Sequence, residues 1–198
     1  MMKNLCFVMA ALFIWGMSAG LAGHSAEAAI KRVNGSTVQQ PSQPRTAEDW
    51  FNKGVAYQDQ YLYDKAIQAY TKALELDDQV AEIYYNRGTA YADKRSFDEA
   101  LADLNKAVAL NPGFTDAYYN RGVVYDALDS YEQALAEYEK VLSMDSTYAD
   151  AYYNKAVALE NLGRSDEARP FYEGFLQYAP ANDQYIIFAR ERVQLLSQ

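Results

Sequence analysis

Cys6 and His24 are the only thiol and the only imidazole in the chain, and both fall within its first two dozen residues. If that segment is removed, the mature protein has no thiol and no imidazole, and a disulfide, a Cys/His metal site and a Cys-His or Ser-His-Asp nucleophile are all excluded. Adjacent carboxylates such as Asp77 and Asp78 sit near a turn with no His beside them, no phosphate-cradling Gly-rich loop occurs, and no run of acids has calcium-loop spacing. The sequence therefore implies neither an enzyme nor a cofactor or metal protein. What recurs is the chemistry of recognition, an aromatic residue followed by a primary amide: Phe51-Asn52, Tyr85-Asn86, Tyr119-Asn120 and Tyr153-Asn154. An amide both donates and accepts, so it can pair with a peptide group whatever side chains flank it.

The 198 residues that must position these groups are half apolar and carry 27 acids against 18 bases, a net charge of −9. That is too apolar for disorder, and the acidity argues against nucleic acid as a partner. Residues 1–28 read as a secretory signal peptide: Lys3 supplies the basic start, no charge falls between Leu5 and Leu21, and Ala26-Glu27-Ala28 is a small-residue cleavage site. The apolar stretch is also about long enough to stay as an uncleaved membrane anchor, the one route to a membrane. Residues 29–46, with Lys31, Arg32 and Arg45 among Gly, Ser, Thr, Gln and Pro, read as a flexible tether. The mature protein is expected in the periplasm or outside the cell, or anchored with its folded part there. Residues 1–46 carry a net +3 and residues 47–198 a net −12, so the acidity belongs to the folded part.

Shifting the sequence by 34 aligns Gly54, Gly88, Gly122 and Ala156, then Ala66, Ala100, Ala134 and Ala168, then Tyr70, Leu104, Tyr138 and Tyr172. This pattern resembles the tetratricopeptide repeat (TPR) family. The resemblance implies an all-α, right-handed solenoid of four helix-turn-helix repeats, 47–80, 81–114, 115–148 and 149–182. Within a unit, Trp50, Gly54 and Tyr57 share one helical face, and the small residue is expected to let the second helix approach at its own Ala66 or Ala100. Ser96 with Glu99 and Ser130 with Gln133 read as capping boxes. Asn111-Pro112-Gly113 and Ala179-Pro180 read as helix stops, which repeats 1 and 3 lack at Asp78 and Ser146. Pro170 is expected to kink its helix or delay its start. Residues 183–198, with Ile186, Ala189, Val193 and Leu196 at helical spacing and polar residues between, read as the polar capping helix of an open solenoid end.

In the family the first helix of each unit lines a concave surface through its second, fifth, sixth, ninth, twelfth and thirteenth positions. Carried onto this chain, these give an aromatic row of Phe51, Tyr85, Tyr119 and Tyr153, an amide row of Asn52, Asn86, Asn120 and Asn154, and a short row that includes Thr89 and Val123. Acids flank them, among them Asp93, Asp116, Asp126 and Asp150; eight acids and no base occupy the 24 positions. The implied ligand is an extended, basic peptide segment of a partner protein, with a self-associating scaffold of the cell envelope as the alternative. The row Lys53, Arg87, Arg121 and Lys155 reads as structural, its stems over aromatics and its heads against acids.

Overall fold

The computed structural model describes residues 44–197; the signal sequence and residues 29–43 of the tether lie outside the described residues. The described residues form helices only: α1 (Ala47–Gln58), α2 (Tyr63–Leu76), α3 (Ala81–Asp93), α4 (Phe97–Leu110), α5 (Thr115–Ala127), α6 (Tyr131–Met144), α7 (Ala149–Asn161), α8 (Ser165–Tyr178) and α9 (Ile186–Leu195). Each odd helix packs against the even helix that follows, and each even helix against the next pair. The result is the TPR solenoid, whose core is a chain of local clusters repeated from unit to unit.

The turns explain the strict period. Between the helices of each unit stands one residue in the left-handed region: Tyr61, Arg95, Asp129 and Gly163, with φ of 59°, 62°, 55° and 74°. The following N–H, of Leu62, Ser96, Ser130 or Arg164, reaches back 2.9 Å to the carbonyl of Tyr57, Tyr91, Tyr125 or Leu159. This Schellman-type closure ends the first helix and aims the second. It also corrects the expected capping boxes. Ser96 and Ser130 leave the turn with ψ of 69° and 61°, outside the extended region of a capping residue, and neither side chain caps its helix. The capping box is at α1: Asp49 N–H donates to Thr46 Oγ1 at 3.0 Å, and Thr46 N–H to the Asp49 carboxylate at 3.1 Å.

The second helices of the first three repeats stop on Asx turns, in repeat 2 at the expected Asn111-Pro112-Gly113. Asp77, Asn111 and Asp145 each accept, through Oδ1, the N–H two residues on, at 2.8–3.0 Å. Pro170 lies inside α8, yet α8 begins at Ser165, in register with the other second helices, so the expected delay does not occur.

The glycines of the first helices do not face small residues as expected. A Cβ on Gly54 or Gly122 would stand 2.4 Å or 2.7 Å from the ring of Tyr70 or Tyr138, and one on Gly88 3.1 Å from Leu104. They leave room for these large buried side chains, while Ala66, Ala100, Ala134 and Ala168 are fully buried behind them. The two ends are finished differently. Asp49 stands exposed where Ile83, Ala117 and Ala151 are buried in later units. At the other end α9 covers Phe175 and Tyr172 with Ile186 and Ala189, but its outer side is not purely polar, since Ile187, Phe188 and Leu195 are exposed.

Candidate peptide-binding face

The odd helices touch one another across units, α1 to α3, α3 to α5 and α5 to α7, and form the inner layer. Side chains join them in a ladder. The Asn120 amide donates to the Tyr85 hydroxyl at 2.9 Å, and the Asn154 amide to the Tyr119 hydroxyl at 3.0 Å, each reaching back one repeat. Asn86 has no such partner because Phe51 carries no hydroxyl; its amide donates to its own helix at the Glu82 carbonyl, 2.7 Å. The amide row is therefore in part an inter-repeat tie. Asn52 is exposed and Asn86 and Asn120 are half-buried, but Asn154 is only 7% exposed.

The aromatic row is seated against the residues that close each unit. Tyr85 meets Phe114 at 4.7 Å between ring centroids and Tyr119 meets Tyr148 at 5.1 Å, while Tyr153 stacks on Tyr185 at 4.5 Å. Burial pushes the Tyr85 phenol up to about 12 and raises that of Tyr119 further, so both stay neutral hydroxyls that accept the asparagine amides. Phe51 packs on Tyr70 at 5.9 Å. Thr89, expected on the surface, is buried: its hydroxyl accepts from Gln58 Nε2 at 3.1 Å and donates to the Asn86 carbonyl at 2.8 Å. Val123 stays half-buried in the inner layer.

The acids fall into two groups. Glu48, Glu82, Asp116, Asp150 and Asp59 are exposed, with Asp116 accepting the Tyr148 hydroxyl at 3.0 Å. Asp93, Asp126 and Glu160 are half-buried and tied to tyrosines. The fully buried Tyr138 donates its hydroxyl to Asp126, Tyr172 donates to Glu160 at 3.0 Å, and in repeat 1 Tyr70 donates to Gln58 at 2.8 Å. Glu160 is further paired with Arg192 of α9. Asp126 Oδ1 is buried without a protein partner. Desolvation raises Asp126 to about 7 and Asp93, beside the Tyr63 hydroxyl, to about 6.

The tie between a tyrosine and the twelfth helix position was not read from the sequence, although a signal for it is present. Repeat 2 replaces both partners at once, with Leu104 and Ala92. Removing a buried hydroxyl together with its acceptor strands neither group. The basic row is structural as expected in repeats 2 and 3: Arg87 forks onto Asp103 through Nε and Nη2 at 2.7 and 2.8 Å, and Arg121 Nη2 donates to both carboxylate oxygens of Glu137 at 2.7 and 2.8 Å. Their guanidinium groups lie over Tyr84 and Tyr118. Lys53 and Lys155 lie over Trp50 and Phe171 with no ion pair to a described carboxylate. Among the described residues no group of His, Cys, Asp and Glu is placed to hold a metal, and no helix is long and apolar enough to cross a membrane.

Family profiles described as tetratricopeptide repeat match residues 81–114, 115–148 and 137–169, and one described as TPR repeat matches 63–94. Comparison with curated proteins gives no match. Among solved structures, one of MamA is 33% identical with a TM-score of 0.65, over 67% of this chain and 77% of that one. The first TPR domain of Spaghetti (RPAP3), bound to the HSP90 peptide SRMEEVD, is 35% identical with a TM-score of 0.59, over 60% of this chain and 94% of that one. MamA from Desulfovibrio magneticus RS-1, residue 41 to the end, shares the fold at 20% identity and a TM-score of 0.64, over 70% and 78% of the two chains.

Proposed function

The chain belongs to the tetratricopeptide repeat family of non-enzymatic protein-interaction modules, and we propose that it is an adaptor whose inner face holds an extended, basic segment of a partner protein. The observation that carries this reading is the charge of that face: eight acids and no base at 24 positions, five of the acids exposed. RPAP3 takes a peptide with the acidic letters EEVD, whereas this face has the sign that favours Lys and Arg. The Asn52 and Asn86 amides supply backbone pairing, and Tyr85 and Tyr119 a seat for side chains. Residues 1–28 direct the adaptor out of the cytoplasm in this reading, and sequencing the mature N-terminus should find Ala29.

The test is a titration with a fluorescein-labelled decapeptide of alternating Arg and Gly. Asn86→Ala removes an amide that supports no other repeat and should weaken binding roughly three- to tenfold at any ionic strength. Asp116→Asn should instead slow association mainly at low salt, because the Debye length shrinks to about 10 Å at 0.1 M. A peptide that binds both variants like the parent would remove the inner face as the site.

A second reading, a self-associating scaffold of the cell envelope, is favoured by the exposed Ile187, Phe188 and Leu195 at the α9 end. A mass in solution that grows with concentration, and that Phe188→Ser holds at the monomer, would select it.

A further inference from the structure

On the side of α1 opposite Asn52, Val55 and Asp59, the side chains of Trp50, Lys53 and Tyr57 face Lys65, Gln68, Ala69 and Lys72 of α2 across an open crevice of about 310 Å³. Three ammonium groups surround it. Lys53 Nζ lies 4.8 Å from the centre of the Trp50 ring and Lys72 Nζ 4.6 Å from the same ring, and Lys65 Nζ lies 5.7 Å from that of Tyr57. None of the three forms an ion pair with a described carboxylate.

The other repeats show what this place ordinarily contains. The residues 34 and 68 beyond Ala69 are Asp103 and Glu137, whose carboxylates fill the corresponding space against Arg87 and Arg121. The residues aligned with Lys65 are Glu99, Gln133 and Glu167. Repeat 1 thus loses an acid at one position and gains a base at another. The four aligned side chains sum to +3 in repeat 1, where Lys53, Lys65, Ala69 and Lys72 stand, but to zero in repeat 2, +1 in repeat 3 and zero in repeat 4. In a folded part of net charge −12, copying a common repeat does not produce this local reversal.

We infer that the crevice between α1 and α2 binds a carboxylate side chain from an acidic segment of a partner polypeptide, at a site separate from the inner face. The carboxylate takes the place that Asp103 and Glu137 occupy in the next two repeats, with the lysine heads around it, Ala69 as the floor and the Trp50 ring as an apolar shelf. At physiological ionic strength the Debye length is about 8 Å, so the ligand responds to these three lysines more than to the acids of the distant inner face. The site does not depend on the reading of the inner face, and together the two would let one adaptor hold two partners of opposite charge.

The experiment titrates the full chain carrying Trp15→Phe, so that indole emission reports Trp50, with a fluorescein-labelled hexaglutamate peptide at 0.15 M ionic strength, following anisotropy and that emission. Saturable binding with a change in indole emission is expected. Ala69→Glu, which supplies the internal carboxylate that Glu137 supplies in repeat 3, should weaken binding at least tenfold without lowering the melting temperature. Because a longer side chain at that buried position can perturb folding, Lys53→Gln with Lys72→Gln provides an independent test and should weaken binding equally. Lys106→Gln, at the position aligned with Lys72 in repeat 2, and Asn86→Ala on the inner face should each change it less than twofold. Absent binding, or equal loss in Lys106→Gln, would overturn the proposal. So would displacement of the peptide by millimolar inorganic phosphate or by phosphatidylglycerol vesicles at lower anionic concentration than free glutamate peptide requires, since the site would then select phosphate.

Discussion

The buried tyrosines show how a single side chain is settled together with its acceptor. Tyr138 is fully buried, and its hydroxyl finds one oxygen of Asp126 while the other has no protein partner. Burial raises this carboxyl from its ordinary 3.8 to about 7, so between these values the folded chain holds a proton that the unfolded chain has released. Stability from this group is greatest at the acid end, falls as pH rises toward about 7, and is level above it. Asp93, raised to about 6, acts in the same sense. Asp126→Asn keeps an acceptor for Tyr138 and should flatten this dependence, raising the melting temperature clearly more at pH 8 than at pH 5, as thermal denaturation at the two pH values would show. For the basic peptide of the proposed function the same titration applies, so its affinity should rise between pH 5.5 and 8. Packing sets a second test. Gly122→Ala must displace the anchored Tyr138 ring from 2.7 Å and should cost about 1–3 kcal/mol, whereas at Gly88 the neighbours stand at 3.1–3.3 Å and the gain in helix propensity offsets most of the strain. Equal melting temperatures for the two variants would contradict this account of the glycines.

The helical hairpin is fixed by backbone closure more than by capping side chains. Three of the four left-handed residues carry a side chain, Tyr61, Arg95 and Asp129, and each holds a conformation costing roughly 1 kcal/mol for an L-residue. Arg95→Gly should recover part of that, while Gly163→Ala, whose Cβ would meet nothing within 4 Å, should lose about the same by conformation alone. Urea denaturation of the pair measures both signs. Arginine forks join elements beyond the hairpin: Arg121 bonds Glu137 of α6 and, at 2.7 Å, Asn105 of α4, so one side chain ties three helices. With both ends of the pair only 14% exposed, Glu137→Ala would leave a nearly buried cation and should cost on the order of 3 kcal/mol, read from the same denaturation curve.

In the molecule as a whole, contacts run between neighbours, so stability depends on how the ends are closed. Deleting residues 183–198 uncovers Phe175 and Tyr172 and removes the Arg192 partner of Glu160; light scattering should show aggregation, and unchanged solubility would contradict the capping role of α9. The sequence alone determined the all-α class, the 34-residue period, the family and the rows of Asn, aromatic and acidic residues, because a repeat writes every structural requirement several times over. It also held the Arg87–Asp103 and Arg121–Glu137 pairs in view as a basic row without showing their acids. Tertiary structure decided which members of each row remain available. Asn120 and Asn154 are bound to the hydroxyls of Tyr85 and Tyr119 one repeat back, Thr89 is sealed beneath Gln58, and Asp126 is drawn toward Tyr138. It also opened a lysine-lined crevice in repeat 1 where the next two repeats are closed by an acid. The physical reason is that periodicity specifies a side chain's direction on its own helix. Whether it meets solvent, a hydroxyl or a charge is set by the neighbouring helix, at positions some 16 or 35 residues away.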